Sequence, residues 1–228
     1  MPLFSLSDEL IFPDPAWAEP DGMLAVGGDL RPERLLLAYQ NGIFPWYSRN
    51  EPILWWSPDP RFVLYPEQLY VSKSMKQVLK RETFRITFDQ KFREVIGHCG
   101  KTRRPGQRGT WITHDMLEAY CTLHERGFAH SVEVWENEKL VGGLYGVSLG
   151  KAFFGESMFA HVSNASKAGF ITLVRNLQER GFQLIDCQVY TEHLESLGAV
   201  LVPRERFLEE LSEVLKGETW QGNGGEMG

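Results

Sequence analysis

Residues 153–159, Phe-Phe-Gly-Glu-Ser-Met-Phe, and residues 184–190, Leu-Ile-Asp-Cys-Gln-Val-Tyr, have the composition of two strands inside a sheet. Aromatic and β-branched residues are frequent in both segments, and the residues typical of turns lie outside them. Because side chains alternate along a strand, Asp186 and Gln188 are predicted to point to one face and Cys187 to the other. We expect the rest of the chain to be organised around these two strands.

Both predicted strands carry polar side chains that a purely structural strand does not need. Glu156 shares a face with Phe154 and Met158, so its carboxylate lies within an apolar run. Burying such a carboxylate is costly unless a partner or a reaction uses it. One interpretation is that Glu156, Asp186 and Gln188 satisfy one another or the nearby backbone. Three such groups on two strands exceed what a core usually tolerates, which favours a functional site.

The composition indicates a globular protein kept in a reducing compartment. The chain has 228 residues, of which 43% are hydrophobic, enough for one large domain or two small ones. Its three cysteines, Cys99, Cys121 and Cys187, cannot all pair, and neither a CxxC motif nor histidines at metal-ligand spacing are present. We expect a cytoplasmic protein without a metal site, signal peptide or membrane span. Cys187 could serve as a nucleophile, but a buried strand thiol is the favoured interpretation.

The charge distribution predicts a binding site for a polyanion. The net charge of −6 by itself argues against a nucleic-acid partner. However, residues 73–108 contain eleven basic and three acidic residues, a net +8, which leaves −14 for the rest of the chain. Such a separation is typical of a localised site for phosphates on an acidic protein. A solvated surface without a partner stays open as the alternative.

The N-terminal residues predict a small module of their own. Residues 1–31 are rich in turn chemistry, and Pro32 is well placed to begin a helix that runs to about Gln40. Residues 43–61 contain tryptophans held between prolines, which either form a small core or line a rigid apolar pocket. We predict two domains, a small N-terminal domain of residues 1–62 and a catalytic domain of residues 63–228.

The second domain reads as a mixture of helices and strands. The sequence predicts a basic-striped helix capped by Ser72 or Ser74, a helix capped by Thr113, and a helix from Asn164 to Arg180. Three strands in a row precede the last of these, the strand of Asp186 follows it, and a final helix begins after Pro203. This order indicates an α+β fold with an acyltransferase-like sheet.

Six motifs together make this sequence resemble the leucyl/phenylalanyl-tRNA–protein transferases. They are Phe44-Pro45-Trp46, Trp55-Trp56-Ser57-Pro58-Asp59-Pro60-Arg61, Gly109-Thr110-Trp111-Ile112, Gly155-Glu156-Ser157-Met158-Phe159, Ile185-Asp186-Cys187-Gln188 and Ser196-Leu197-Gly198-Ala199. The resemblance runs from about Ile11 to Pro203. It implies an α+β fold with a small N-terminal domain and a larger acetyltransferase-like (GNAT-like) domain, whose sheet is mixed and mainly antiparallel.

The resemblance also implies an activity. The family transfers Leu, Phe and less readily Met from aminoacyl-tRNA to the N-terminal Arg or Lys of acceptor proteins, which marks them for degradation. The partners would be Leu-tRNA, Phe-tRNA and such proteins, with no membrane involved, and the protein would be a monomer. No glycine-rich pyrophosphate loop opens a helix in this chain, so neither coenzyme A nor another cofactor is expected.

Roles for the polar strand residues follow from the resemblance combined with the chemistry of the reaction. Asp186 would orient the attacking amine and accept its proton, and Gln188 would hydrogen-bond the amine or the carbonyl. Glu156 would bind the cationic N-terminal residue of the acceptor. If the carboxyl groups of Glu156 and Asp186 lie close together, the pKa of one of them should be raised.

The remaining site residues are implied by the resemblance and by the basic window. The 3′ adenine would stack on Trp46 or Trp111. The residues predicted around the aminoacyl and adenosine pocket are Trp46, Trp111, Tyr120, Phe153, Leu173, Ile185 and Tyr39. The residues predicted to bind tRNA phosphates are Lys76, Lys80, Arg81, Arg85, Arg103, Arg104 and Arg108.

Two other functional classes are compatible with parts of the sequence. A small-molecule N-acetyltransferase should contain the pyrophosphate loop that is missing here. A non-catalytic RNA-binding module would explain the basic window but would leave Glu156, Asp186 and Gln188 without a purpose.

Overall fold

The computed structural model describes residues 4–102 and 112–222. Its two sheets contain four and seven strands. The strands are β1 (Phe4–Leu6), β2 (Met23–Gly27), β3 (Phe44–Pro45), β4 (Leu54–Trp56), β5 (Arg61–Leu64), β6 (Arg85–Phe88), β7 (Ala129–Glu136), β8 (Lys139–Leu149), β9 (Ala152–Ala160), β10 (Leu184–Gln188) and β11 (Val200–Val202). The helices are α1 (Pro32–Gln40), α2 (Lys73–Lys80), α3 (Phe92–Lys101), α4 (His114–Glu125), α5 (Ala165–Glu179), α6 (Glu192–Glu195) and α7 (Arg204–Val214).

The small sheet has the order β1-β2-β4-β3 and is built from the N-terminal residues. The prediction of turns alone over residues 1–31 missed β1 and β2. β1 spans only three residues, and turn residues surround both strands, so neither carries the alternating pattern of a longer strand. The helix predicted from Pro32 is confirmed as α1, with Pro32 in its first turn.

The large sheet has the order β11-β5-β10-β9-β8-β7-β6. Its neighbouring strands are antiparallel apart from β9 and β10, which run parallel with α5 as the connection between them. The predicted mixed, mainly antiparallel sheet of an α+β protein is therefore confirmed. β5 spans residues 61–64, so the predicted boundary after residue 62 falls within this strand. The division into two domains stays a prediction.

Helices cover both faces of the large sheet. α2 and α5 pack on one face around Phe153, Ile171 and Ile185. The other face carries α1, α3, α4 and α7, whose core includes Phe154 and Phe207. No helix was predicted over residues 92–101, where α3 packs with Phe92, Val95 and Ile96 buried. Its glycines and its lysine-rich surroundings weakened the helical pattern there.

The predicted caps form where the sequence placed them. Ser72 Oγ accepts a hydrogen bond from Met75 N at the start of α2, and Thr113 Oγ1 accepts one from Met116 N at the start of α4. Among the described residues, no helix is both long and apolar enough to cross a membrane.

The parallel pair β9 and β10 positions the site. Its register places Leu184 opposite Ala152, Ile185 opposite Phe153 and Asp186 opposite Phe154. After Asp186 the register of β10 with β5 shifts, and Gln188 adopts a left-handed backbone conformation with φ of 65°. Glu156 and Gln188 thus lie just past Phe154 and Asp186, the last residues through which β9 and β10 pair with each other.

Candidate active site

A cleft of about 540 Å³ opens where β9 and β10 stop pairing. Its walls come from both strands, from the β3 segment Phe44–Trp46 and from the first turns of α5. Glu156 and Gln188 supply polar groups to a lining that is otherwise largely aromatic and aliphatic. A concave, mainly apolar site with a few convergent polar groups is the usual form of a binding or active site.

Gln188 is hydrogen-bonded to both of the other polar residues that the sequence singled out, Asp186 and Glu156. Its backbone N–H donates to Asp186 Oδ1 at 2.9 Å, and its side-chain Nε2 donates to Glu156 Oε1 at 2.7 Å. The fold therefore brings Asp186, Gln188 and Glu156 together. The left-handed backbone of Gln188 is rare for a residue with a side chain, and such conformations concentrate at functional sites.

Asp186 is sealed beneath the cleft. Its carboxylate is fully buried, does not line the cleft and is bound by Arg61 through two hydrogen bonds of 2.8 and 2.6 Å. The Arg61 guanidinium lies between the rings of Phe44 and Phe207, with its carbon 4.8 and 4.6 Å from their centroids. Burial and the bidentate Arg61 partner thus keep the Asp186 carboxylate out of the cleft in this structure. Its contact with the amine stays a prediction.

Glu156 is a buried carboxyl group with three hydrogen-bond donors. Tyr39 and Gln188 donate to Oε1, both at 2.7 Å, and Tyr120 donates to Oε2 at 2.9 Å. Burial raises the pKa of Glu156 to about 7, against the opposing effect of the three hydrogen bonds, and Asp186 adds a smaller electrostatic contribution. A raised carboxyl pKa was predicted, but burial rather than the neighbouring carboxylate is its main cause.

Tyr39 and Tyr120 were predicted around the pocket, but neither side chain lines the cleft. Both are fully buried behind Glu156, where their hydroxyl oxygens lie in contact with each other. Each hydroxyl has a single proton, so when both donate to Glu156 neither donates to the other. Burial and the Glu156 charge raise the pKa of both tyrosines well above the usual value, so both hydroxyls remain proton donors. Leu173 is buried in the core between α5 and the sheet and does not line the cleft, so its contact with a substrate stays a prediction.

Trp46, Phe153 and Ile185 do line the cleft. Trp46 is fixed by its neighbour Trp56, whose indole N–H donates to the Trp46 carbonyl at 2.7 Å. Sequence reasoning missed several other lining residues, among them Phe44, Phe170, Tyr190 and His193. The motif containing Phe44 pointed to this surface, whereas Phe170 has the same helical spacing as an ordinary core residue.

The predicted cations divide into three groups. Lys76, Lys80 and Arg81 are exposed on or beside α2, which packs against α5. Lys76 lines a shallow groove with Arg175 of α5, whereas Ser166 of the same helix lines the cleft. Ser166 and Arg175 are nine positions apart in α5, which corresponds to about 14 Å along the helix axis.

Arg85 lies on β6, at the edge of the large sheet away from β11, and stacks over Trp135. Trp111, Arg103, Arg104 and Arg108 lie outside the described residues. Thr102, the last described residue before that segment, lines the cleft. Contact of any of these residues with tRNA stays a prediction. In the part of the chain that the structure describes, no group of three His, Cys, Asp or Glu side chains could hold a metal ion.

Comparison with known proteins identifies the family. The family model described as leucyl/phenylalanyl-tRNA protein transferase matches residues 63–212, and the model of that family's N-terminal domain matches residues 28–59. The chain belongs to this family. Its motifs in β3, β9 and β10 include residues that line the cleft.

Curated relatives match along almost the whole chain. The leucyl/phenylalanyl-tRNA–protein transferase of Myxococcus xanthus is 58% identical over 97% of this chain and 96% of the relative. That of Syntrophobacter fumaroxidans is 55% identical over 97% of both chains. Among solved structures, an aminoglycoside acetyltransferase from a soil metagenome aligns with a TM-score of 0.37 and 13% identity, over 50% of this chain and 84% of that chain. The small N-terminal sheet and the mixed, mainly antiparallel large sheet agree with the predicted α+β fold class.

Proposed function

We propose that this protein transfers Leu, Phe and less readily Met from aminoacyl-tRNA to the N-terminal Arg or Lys of acceptor proteins. Membership of the leucyl/phenylalanyl-tRNA protein transferase family supports this proposal. The observation that carries it within the molecule is the cleft, where an apolar chamber meets the hydrogen-bonded pair Gln188 and Glu156. Marking of the acceptors for degradation, a cytoplasmic location and a monomeric state belong to the same proposal.

The apolar part of the cleft would hold the transferred side chain. Phe153, Ile185 and Phe170 line it from β9, β10 and α5. Such a pocket suits unbranched or γ-branched apolar side chains, and it separates substrates by only about 1 to 3 kcal/mol per methylene. Acceptance of Leu, Phe and to a lesser degree Met fits discrimination by shape. Trp46 would offer its ring to the terminal adenine.

The reaction itself needs positioning more than a strong base. The amine nitrogen attacks the ester carbonyl, a C–N bond forms, the C–O bond to the ribose breaks, and the amine proton is passed to the ribose oxygen. An α-amine with a pKa near 8 is about one tenth neutral at pH 7, so no strongly basic group is required. Holding amine and ester in contact contributes roughly 7 to 11 kcal/mol to such a reaction.

Gln188 is the group proposed to touch the reacting atoms. Its Nε2 is engaged by Glu156, which orients the Oε1 as an acceptor for an N–H of the attacking amine. Asp186 acts as a positioning residue, since it holds the backbone of Gln188 and is itself held by Arg61. Glu156 keeps its proposed role towards the cationic acceptor, with an ionisation that is half complete near pH 7.

Phosphates of the acceptor stem would bind the exposed cations Lys76, Lys80 and Arg81, together with Arg85, Arg103, Arg104 and Arg108. Contacts of this kind position the RNA without reading its sequence, and they weaken steeply with salt. The acidic remainder of the chain would limit RNA binding elsewhere.

A single transfer assay tests the proposal. Labelled Leu-tRNA is incubated with the protein and with peptides that begin with Arg, Lys or Ala. We expect label in the Arg and Lys peptides and little in the Ala peptide. Absence of transfer to the Arg and Lys peptides, with an active relative run in parallel, would refute the proposed function. Acetyl-coenzyme A replaces the tRNA in a further reaction, and acetylation of the peptide would favour the N-acetyltransferase alternative.

A further inference from the structure

An exposed apolar surface adjoins one end of the cleft. It consists of Val189, Tyr190 and Leu201, and we refer to these three residues as the exit patch. Their exposed fractions lie between 41% and 51%, which is high for large hydrophobic side chains. Val189 and Tyr190 also line the cleft, so the patch is continuous with its interior.

Tyr190 and Leu201 are connected through Phe62 at the edge of the large sheet. Tyr190 packs against the ring of Phe62, with 5.4 Å between the centroids. Phe62 pairs with Leu201 across β5 and β11, and directly opposite residues of an antiparallel pair point to the same face. Tyr190 and Leu201 therefore flank Phe62. β11 is the terminal strand of the sheet, and an extended peptide can add to such an edge.

The charges beside the exit patch favour a protein over RNA. Glu195 accepts a hydrogen bond of 2.9 Å from the Tyr190 hydroxyl, and Glu192 is exposed on the same short helix α6. These carboxylates repel phosphates and attract a chain that begins with a cation. Thr102, which leads into the basic segment 103–108, also lines the cleft.

We propose that the exit patch holds the part of the acceptor protein that follows its N-terminal residue, extended along β11. This inference rests on the proposed transferase function and adds to it a contact outside the cleft. Two strand spacings separate β10 from β11, about 10 Å, and an extended chain advances about 3.3 Å per residue. With the N-terminal residue inside the cleft, acceptor positions of about four to six reach Leu201.

Acceptor peptides of different lengths test the inference. The first is a tripeptide beginning with Arg, the second a ten-residue peptide with Leu or Val at positions four to six, and the third the same peptide with Ser there. We expect kcat/KM for the apolar ten-residue peptide to exceed the other two by about fivefold, as burial of one or two half-exposed apolar side chains implies. In Leu201→Thr this advantage disappears while the rate with the tripeptide is unchanged, and Leu201→Ile retains it.

The matched control is Ile11→Thr, which makes an exposed apolar side chain in the N-terminal segment polar and should leave all three rates unchanged. Equal kcat/KM for the three peptides in the wild type would overturn the inference and leave the transferase function intact. A higher KM for aminoacyl-tRNA in Leu201→Thr, or a changed oligomeric state in sedimentation, would also overturn it, because the patch would then serve RNA or self-association. Failure of transfer to the tripeptide would instead count against the proposed function.

Discussion

Arg61 and Asp186 form a fully buried ion pair with two parallel hydrogen bonds of 2.8 and 2.6 Å. Arg61 lies on β5 and Asp186 on the neighbouring strand β10, whose next residues carry the cleft. The pair therefore links β5, the first strand of the large sheet in chain order, to the backbone that positions Gln188. Arg61 Nη1 has no hydrogen-bond partner within the described residues, so Asp186 supplies the main compensation for burying the guanidinium.

Removal of one partner of this pair should destabilise the protein strongly. Asp186→Ala leaves the Arg61 charge buried without compensation, for which a loss of about 3 to 5 kcal/mol in unfolding free energy is typical. Urea denaturation followed by tryptophan fluorescence measures it. The control pair is Arg93 and Glu118, which is bidentate but exposed, and Glu118→Ala there should have a far smaller effect because solvent screens the pair. Similar losses at the two sites would show that burial is not the cause.

The stability difference between wild type and Glu156→Gln should depend on pH. The pKa of Glu156 is raised to about 7 in the folded protein from 4.5, so the folded state binds more protons than the unfolded state between these values. The wild type therefore loses about 3 kcal/mol of stability through this group as the pH rises from 4.5 to 7. Glu156→Gln lacks this loss.

We expect the unfolding free energy of Glu156→Gln, relative to wild type, to increase between pH 5 and pH 8. Urea denaturation at both values is the measurement. Glu94→Gln serves as the control, because Glu94 is exposed on α3. A pH-independent difference would contradict burial of an ionisable group at residue 156.

Gln188→Gly should separate stability from activity. Gln188 adopts φ of 65°, a conformation that costs a residue with a side chain about 1 kcal/mol or more and costs glycine little. The substitution relieves this strain, so the loss of the Glu156 hydrogen bond should be largely offset in thermal unfolding. Transfer from Leu-tRNA should nevertheless fall by about tenfold or more, the scale of general acid–base and oxyanion contributions. Near-normal turnover with unchanged aminoacyl-tRNA affinity would remove the proposed role of Gln188.

Reversal of the α2 charges should weaken tRNA binding without affecting the chemical step. In the triple variant Lys76→Glu, Lys80→Glu and Arg81→Glu, we expect the KM for aminoacyl-tRNA to rise at least tenfold and the salt dependence of binding to become shallower. Filter binding across a salt series gives both quantities.

A variant with three exposed cations outside the basic window is the matched control, with Lys139, Arg206 and Lys216 each changed to Glu. Its lower net charge equals that of the α2 variant, so a general charge effect would appear in both. Equal affinities of the two variants for tRNA would contradict a localised RNA site on α2.

The local elements of this protein could be predicted where one segment carries its own signal. Pro32, Ser72 and Thr113 mark helix starts because proline fixes φ and a hydroxyl oxygen accepts from the free backbone N–H groups of the first turn. Asp186, Gln188 and Glu156 stood out because polar groups are rare within apolar strands, and the fold brings the three together. The short strands β1 and β2 lack a recognisable alternation of apolar and polar residues. The helical pattern of α3 is too weak to predict a helix.

Whether each polar group faces the cleft or the core was decided by the tertiary structure alone. Asp186 lies opposite Phe154 at the last position where β10 pairs with β9, and Arg61 can reach it there from β5. Gln188 lies past the register shift between β10 and β5 and contacts the cleft. Tyr39 and Tyr120 are separated by 81 residues in the chain and meet only because α1 and α4 pack together beside Glu156. The amino-acid sequence thus determined which side chains are chemically unusual. The pairing of distant strands determined which of them are buried and which meet a substrate, because desolvation and partner geometry arise only when the sheet is assembled.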